Sequence, residues 1–274
     1  MSNNSILLID PNFDPANSAN LSLLVKIGAD TFSYVIIDQE RKFVHAVYDE
    51  QECTDGYEKL KERLKNDAYL NLNYQNVKIA THTQNVVYVP NELFNENEIA
   101  VYTKFFADAD SQNIYVQPSQ QQNIYTVFSP PYSVEKKINN NWPQSIKLVH
   151  NAGLFELAVQ FNTDTIIIDF TAGSFQLVYI KDKEIAFNQN YQFEGTEELT
   201  YFLLLIVNQL NINVQQVTVN TCGIINDNDI NWNILIKYFQ NVQLLTLVSD
   251  LDTSILDDMP AHYYTSLLAL QQCG

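Results

Sequence analysis

Three short runs rich in β-branched and aromatic residues, near 21–27, 32–38 and 42–48, return with the same spacing near 164–169, 175–180 and 184–191. No other feature constrains the fold as much. In the first set, turn formers and charge at Gly28-Ala29-Asp30 and Asp38-Gln39-Glu40-Arg41 separate the runs, as in a meander of strands. Laying Lys26 on Asp169 also lays Tyr48 on Tyr191, so three strands recur with no net insertion. Each set then meets a Gly-containing turn and an amphipathic helix. The first helix follows Thr54-Asp55-Gly56 and aligns Tyr57, Leu60 and Leu64. The second starts at Gly195-Thr196, with Thr196 as the predicted N-cap, and aligns Leu199, Phe202, Leu203, Ile206 and Leu210. The pattern reads as an internal duplication, and 274 residues accommodate two lobes.

The rest of the chain fills in around the repeat. Strands are expected at 77–81 and 86–89, a helix over 96–107, and a strand pair at 113–117 and 123–128 across the Gln-rich turn 118–122. Pro130, Pro131 and the stretch Asn139-Asn140-Asn141-Trp142-Pro143 read as a loop and as the best candidate boundary. This divides the chain into 1–145 and 146–274. After it, 144–160 is predicted helical. A strand at 216–221, a helix at 229–239, a strand at 242–247 and a last helix near 260–271 finish the chain; the last is apolar enough to pack back on the first lobe.

Charge limits the partners. The formal net charge is -17 and the pI is near 4.4, so phosphodiester backbones and anionic lipid are repelled unless a cationic patch exists. The densest basic group, Lys59, Lys61, Arg63 and Lys65, alternates with Glu58, Glu62 and Asp67, which reads as an ion-paired helix face. Neither nucleic acid nor a membrane is expected as a partner. Cys53, Cys222 and Cys273 are odd in number and far apart, which argues against a disulfide framework. With no apolar run approaching the ~20 residues of a membrane span, and no leader pattern at MSNNSILLID, a cytoplasmic location is expected. His45, His82, His150 and His262 lack metal-ligand spacing, and no G-x-x-x-x-G-K-[ST], G-x-G-x-x-G or H-E-x-x-H motif occurs.

A three-strand meander followed by helix, strand and helix, present twice, resembles the actin-like ATPase superfamily, which includes actin, the Hsp70 ATPase domain and sugar kinases. The stretch YQFEGTEELTYFLLLIVNQLNINVQQVTVNTCG, with the upstream His150-Asn151, is similar to an uncharacterised bacterial family of that fold. The resemblance covers nearly the whole chain from Leu21. It implies an α/β protein of two ribonuclease-H-like lobes, each a mixed sheet flanked by helices, with ATP in the cleft between them. The turn after the first strand of each lobe would wrap the phosphates, and a glycine turn late in the second lobe would receive the adenosine.

The residues at those positions depart from the superfamily pattern. The first phosphate turn is Lys26-Ile27-Gly28-Ala29-Asp30-Thr31. Its glycine and a hydroxyl survive as Gly28 and Thr31, while Lys26 replaces the acid that holds hydrated Mg²⁺. A cation there repels a metal. The second turn, Asp169-Phe170-Thr171-Ala172-Gly173-Ser174, keeps the acid but has Thr171 where glycine lets backbone approach a pyrophosphate, leaving only Gly173. The adenosine turn retains Gly223, followed by bulky Ile224. Glu98, Glu135 and Asp164 are acids in regions that could approach the cleft, and nothing in the sequence selects one as catalytic. Two readings of Asp169 stand side by side. It ends a strand and hydrogen-bonds turn amides while Lys26 faces solvent from its own strand, or it meets Lys26 across the cleft, with an ammonium where a metal would be.

The expectation is a pseudo-ATPase: no catalytic residue, no metal, no cofactor, and a degenerate cleft marked by Lys26, Gly28, Thr31, Asp169, Thr171, Gly173 and Gly223. Such a body would act as a binding or scaffold module for a partner the sequence does not name, with a protein as the candidate class. The alternatives are a genuine nucleotide binder with weak ATPase activity, in which ATP and Mg²⁺ would return as cofactors, and a small-molecule kinase.

Overall fold

The computed structural model describes residues 4–107, 113–119 and 122–274. Strand β1 (Ser5–Ile9) pairs antiparallel with β4 (Phe43–Glu50) at one edge of the first sheet. Between them in sequence, β2 (Ser22–Ile27) and β3 (Phe32–Asp38) complete the antiparallel meander with β4. Helix α1 (Gly56–Asn66) starts at Asp55, whose carboxylate accepts from the amides of Tyr57 and Glu58. It leads to β5 (Asn76–Thr81), parallel to β2.

An insertion follows. β6 (Val86–Pro90), β7 (Tyr115–Ser119) and β8 (Ile124–Phe128) form a separate antiparallel sheet in the order β6-β8-β7, with the four-residue α2 (Ile99–Tyr102) beside it. Helix α3 (Tyr132–Asn141) then returns the chain to β9 (Ile146–Val149), parallel to β5, and α4 (Ala152–Ala158) leaves the first sheet. The first sheet therefore runs β1-β4-β3-β2-β5-β9.

The second sheet repeats this plan. The meander is β10 (Thr165–Phe170), β11 (Ser174–Lys181) and β12 (Glu184–Gln192). After it come α5 (Thr196–Leu210), β13 (Thr218–Gly223), α6 (Ile230–Tyr238) and β14 (Asn241–Leu244). The order β12-β11-β10-β13-β14 matches β4-β3-β2-β5-β9, with the last two strands parallel to the first of the meander in both sheets. The chain ends in α7 (Thr265–Leu268) and a 3-10 turn over Ala269–Gln272.

Side-chain alternation gives each sheet an outer and an inner face. Leu23, Val25 and Ile27 of β2 point outward to Leu60 of α1 and Ile138 of α3. Leu24 points inward, into a cluster with Val149, Ala152 and Leu267. In the second sheet Ile166, Ile168 and Phe170 face α5 and α6, while Ile167 faces Leu154 and Phe155 of α4. The inner faces meet the same two short helices, α4 and α7. Alternation alone therefore sends Lys26 and Asp169 inward as well.

Several sequence-based assignments need correction. Residues 144–160 are not one helix, because Ile146–Val149 pairs with β5 and only Ala152–Ala158 is helical. Four residues are too few for strand alternation to show against the apolar run that follows. The expected loop 130–143 holds helix α3; Val134 and Ile138 bury against the outer face, which overrides the weak propensity of its asparagines. β1 was not anticipated, and the helix over 96–107 is only α2 between 3-10 turns. Thr196 is the first helical residue, not the cap; Glu198 reaches back to the Glu194 amide instead. The strand pair β7–β8 forms as expected, with Gln120 and Gln121 of its turn outside the described residues.

The terminal segment is stitched to both sheets. Gly223 N donates to the His262 carbonyl at 3.0 Å, Thr265 Oγ1 to the Leu245 carbonyl at 3.0 Å, and Lys78 Nζ to the Gln271 carbonyl at 3.0 Å. Gly153 of α4 makes the approach possible: a Cβ there would lie 2.2 Å from the Ser266 carbonyl oxygen. Gly153→Ala should destabilise the fold by about 2–3 kcal/mol, and hydrogen exchange should show early loss of protection at 262–272.

Candidate functional site

Lys26 sits next to last on β2 and Asp169 next to last on β10, at equivalent registers. Lys26 is opposite Ser33 on β3, as Asp169 is opposite Gln176 on β11. The two inner faces bring them together. Lys26 Nζ lies 2.7 Å from Asp169 Oδ2, with side chains 10% and 7% exposed. Ser266 of α7 closes a triangle: it accepts from Lys26 Nζ at 2.8 Å and donates to Asp169 Oδ2 at 2.6 Å. The second carboxylate oxygen, Oδ1, accepts from Cys222 Sγ at 3.7 Å. This settles the choice left open at Asp169, which spans the lobes.

The hairpin ends close over this triangle. Gln51 donates from Nε2 to both Asp49 oxygens at 3.0 Å and accepts at Oε1 from the Ala172 amide at 3.3 Å. An amide of the second turn, the kind of donor a phosphate would use, thus serves a glutamine. Thr171 is engaged within its own turn, its hydroxyl accepting from the Ser174 amide at 2.9 Å. A Cβ on Gly173 would lie 3.5 Å from Asp30, so the two hairpins approach closely. Gly28 admits Thr31, whose hydroxyl would sit 2.1 Å from a Cβ at that position. Gly223, at φ +78°, lets β13 press on β10; a Cβ there would lie 2.1 Å from the Phe170 carbonyl oxygen and 2.6 Å from Asp169 Oδ1. That close packing already calls for glycine here.

Of the degenerate-cleft residues, Lys26, Thr31, Asp169, Thr171 and Gly223 line one cavity of about 50 Å³, and Gly28 and Gly173 lie on the turns above it. That volume holds a few waters, against roughly 300 Å³ for the smallest ordinary ligand pockets. Glu135 is turned away, accepting from Asn113 and Tyr115; Asp164 accepts from Tyr179 at the opposite end of β10; Glu98 is exposed. No group of three or more His, Cys, Asp or Glu suited to a metal occurs among the described residues.

Sequence reasoning missed Ser266, Asp49 and Gln51. Asp49 ends the meander of the first lobe, and burial pushes its carboxyl up to about 6, against the opposing pull of Gln51 and Lys26. Burial also drives His150 far below its ordinary value, with the Lys26 charge adding to the effect, so its imidazole is neutral. Cys222 is held well above its usual range by burial first and then by Asp169, so it is an unreactive thiol.

This geometry can be set against known proteins. Residues 10–242 match the family described as "Protein of unknown function (DUF3822)". The chain belongs to that family. No curated protein matches it. Among solved structures, it is similar to a Bacteroides thetaiotaomicron protein with actin-like ATPase fold and unknown function, at 16% identity and TM-score 0.76, covering 96% of this chain and 99% of that one. It is similar also to a chain of the PilM-PilN type IV pilus biogenesis complex, at 11% identity and TM-score 0.60, covering 92% and 97%. A third likeness is to the ethanolamine utilization protein EutJ from Carboxydothermus hydrogenoformans, at 13% identity and TM-score 0.50, covering 97% and 93%. The DUF3822 chain thus has the actin-like ATPase fold. Among its described residues no helix is long and apolar enough to cross a membrane.

Two measurements check the site. Lys26→Met leaves the Asp169 carboxylate buried without its cation and should cost about 3–5 kcal/mol in urea unfolding. Adding Asp169→Asn should recover most of that loss. For Asp49, the folded carboxyl titrates at about 6 and the free one at 3.8. Between these values the folded state keeps a proton that the unfolded chain has lost, so this group makes stability fall as pH rises. Asp49→Asn should be more stable than the parent at neutral pH by up to about 3 kcal/mol, with the gap closing below about pH 4 in urea titrations.

Proposed function

We propose that this DUF3822 chain is a non-hydrolysing actin-like body that works as a binding or scaffold module. One observation carries the reading: an ammonium, a carboxylate and a hydroxyl bond one another at the equivalent first-strand ends of the two lobes. A divalent ion beside Asp169 would have to displace Lys26 and then lie against it, at a separation where like charges repel strongly. The small cavity, the Gln51–Ala172 bond and the side chain on Thr171 support the same reading, because each uses space or donors that a triphosphate would need. Mg-nucleotide does not fit these residues.

A body of this kind engages a partner by surface or cleft. The PilM-PilN structure is a complex of two components, and a protein partner is the role we extend to this chain. We place it in a reducing compartment, a reading supported by three free, buried cysteines.

Thermal unfolding tests the proposal. A ligand at a hundredfold its Kd adds about 2.7 kcal/mol of apparent stability, a readable rise in Tm. The expected Tm is the same with ATP, with Mg²⁺ and with both. A rise specific to Mg-ATP would overturn the proposal in favour of a nucleotide binder.

A further inference from the structure

The duplication is incomplete at one sheet edge. In the first lobe β4 is covered by β1, which runs antiparallel to it, with Ser5 opposite Glu50 and Ile9 opposite Ala46. The equivalent strand of the second lobe is β12, and among the described residues no strand pairs along its outer edge. The other sheet edges are blunted in ways that discourage stray pairing. β9 and β14 have four residues each, β1 has five, and β6 and β7 carry Pro90 and Pro118. β12 has nine residues, and Ile185 to Gln192 contains no charge, proline or glycine.

The main chain along this edge can be assigned residue by residue. Phe193 N donates to the Gly173 carbonyl at 3.0 Å, toward β11. Antiparallel ladders alternate, so Tyr191, Gln189 and Phe187 also bond toward β11, while Asn188, Asn190 and Gln192 turn their amides and carbonyls away from the sheet. The covered edge has the same phase. Asp10 N donates to the His45 carbonyl at 2.8 Å and Gln51 N to the Asn4 carbonyl at 3.0 Å. His45 and Gln51 are the counterparts of Asn188 and Glu194 in the repeat. The Glu194 amide is already taken by Glu198 at 2.8 Å, so Asn188, Asn190 and Gln192 are the residues open to a further strand.

Side chains define what such a strand would carry. Phe187 and Tyr191 lie half-buried on the outer face; Tyr191 stacks on Phe175 and meets Phe202 of α5 with ring centroids 4.6 Å apart. Aliphatic residues beside them gain apolar contact across the strand pair. On the inner side lies an open cleft of about 670 Å³, with Gln84, Asn190 and Gln192 on its walls, which leaves room for polar side chains. Beyond the end of β12, Glu194, Glu197 and Glu198 are exposed. An antiparallel strand begins at that end, so its amino-terminal residues meet three carboxylates on a chain of net charge -17. A second copy pairing through its own β12 would present Lys181-Asp182-Lys183-Glu184 there, which sums to zero charge. Charge complementarity therefore favours a basic segment from a different protein.

We infer that the outer edge of β12 receives an extended segment of a protein partner, antiparallel, with basic residues at its amino end and alternating aliphatic and polar residues after them. Main-chain bonds to Asn188, Asn190 and Gln192 supply the affinity, and the acidic end sets the direction. This rests on the scaffold reading above and names its surface and the kind of partner that fits.

The test uses the full chain and a fluorescent peptide, Lys-Lys-Thr-Val-Thr-Val-Thr-Val, whose valines fall beside Tyr191 and Phe187 and whose threonines fall beside Asn188, Asn190 and Gln192. Saturable binding by anisotropy is expected, with hydrogen exchange slowed at 188–192. A twin N-methylated at the threonines, and a twin beginning Glu-Glu, are each expected to bind about tenfold more weakly or not at all. Glu194→Gln/Glu197→Gln is expected to weaken binding of the lysine peptide, with its Tm reporting that it folds. No binding of the lysine peptide, equal binding of either twin, undiminished binding by the folded variant, or slowed exchange confined to another strand overturns the inference. Protection at 188–192 that exists without peptide and is lost on dilution assigns the edge to a second copy, and overturns it too. The peptide comparisons use the parent protein, so they decide even where the variant does not fold. A Tm rise specific to Mg-ATP sinks the non-hydrolysing reading, whereas peptide silence sinks this inference alone.

Discussion

The two lobes depend on one buried contact, the ammonium of Lys26 against the carboxylate of Asp169. Removing either charge from water carries a penalty of several kcal/mol, offset only while the geometry holds and the remaining hydrogen-bonding capacity is met. Ser266 and Cys222 meet it here. Because the partners come from equivalent strands of the two copies, the pair works as a clasp between sheets. Opening the cleft would leave two charges to be rehydrated, so this contact holds the lobes together.

The clasp explains the crowding around it. The two hairpin turns approach closely at Gly173 and Asp30, and Gln51, just past β4, reaches the Ala172 amide. The terminal segment is held against α4 through Gly153 and seats Ser266 beneath the charges. α7 packs against β2 and β3 of one sheet and β13 of the other, so the last turn of chain belongs to the core of the whole molecule.

Much of the frame was legible beforehand. Long strands with β-branched alternation, such as β2, β3, β10 and β11, carry their identity locally, and so does the apolar face of α5. The short elements did not. β9 is a strand because β5 offers it an edge, and α3 is a helix because Val134 and Ile138 have an outer face to cover. Both depend on neighbours brought in from elsewhere in the chain. The same division runs through the site. A lysine in place of an acid and a threonine in place of a glycine could be read directly, since they are departures at numbered positions. The role of Gly223 was not legible in sequence, because a glycine that brings two strands together looks the same as one that admits a ligand.

The sequence by itself determined that two similar lobes exist and that Lys26 and Asp169 occupy equivalent positions in them. Those are local or periodic properties, written in the order of apolar and polar residues. Only the tertiary structure decided that the two charges touch, that Ser266, 240 residues from Lys26 and 97 from Asp169, completes their hydrogen bonding, and that Gln51 meets the Ala172 amide. Contacts of that kind depend on how whole sheets dock, and docking is set by the summed packing of α4 and α7 between them, which no single stretch of residues encodes.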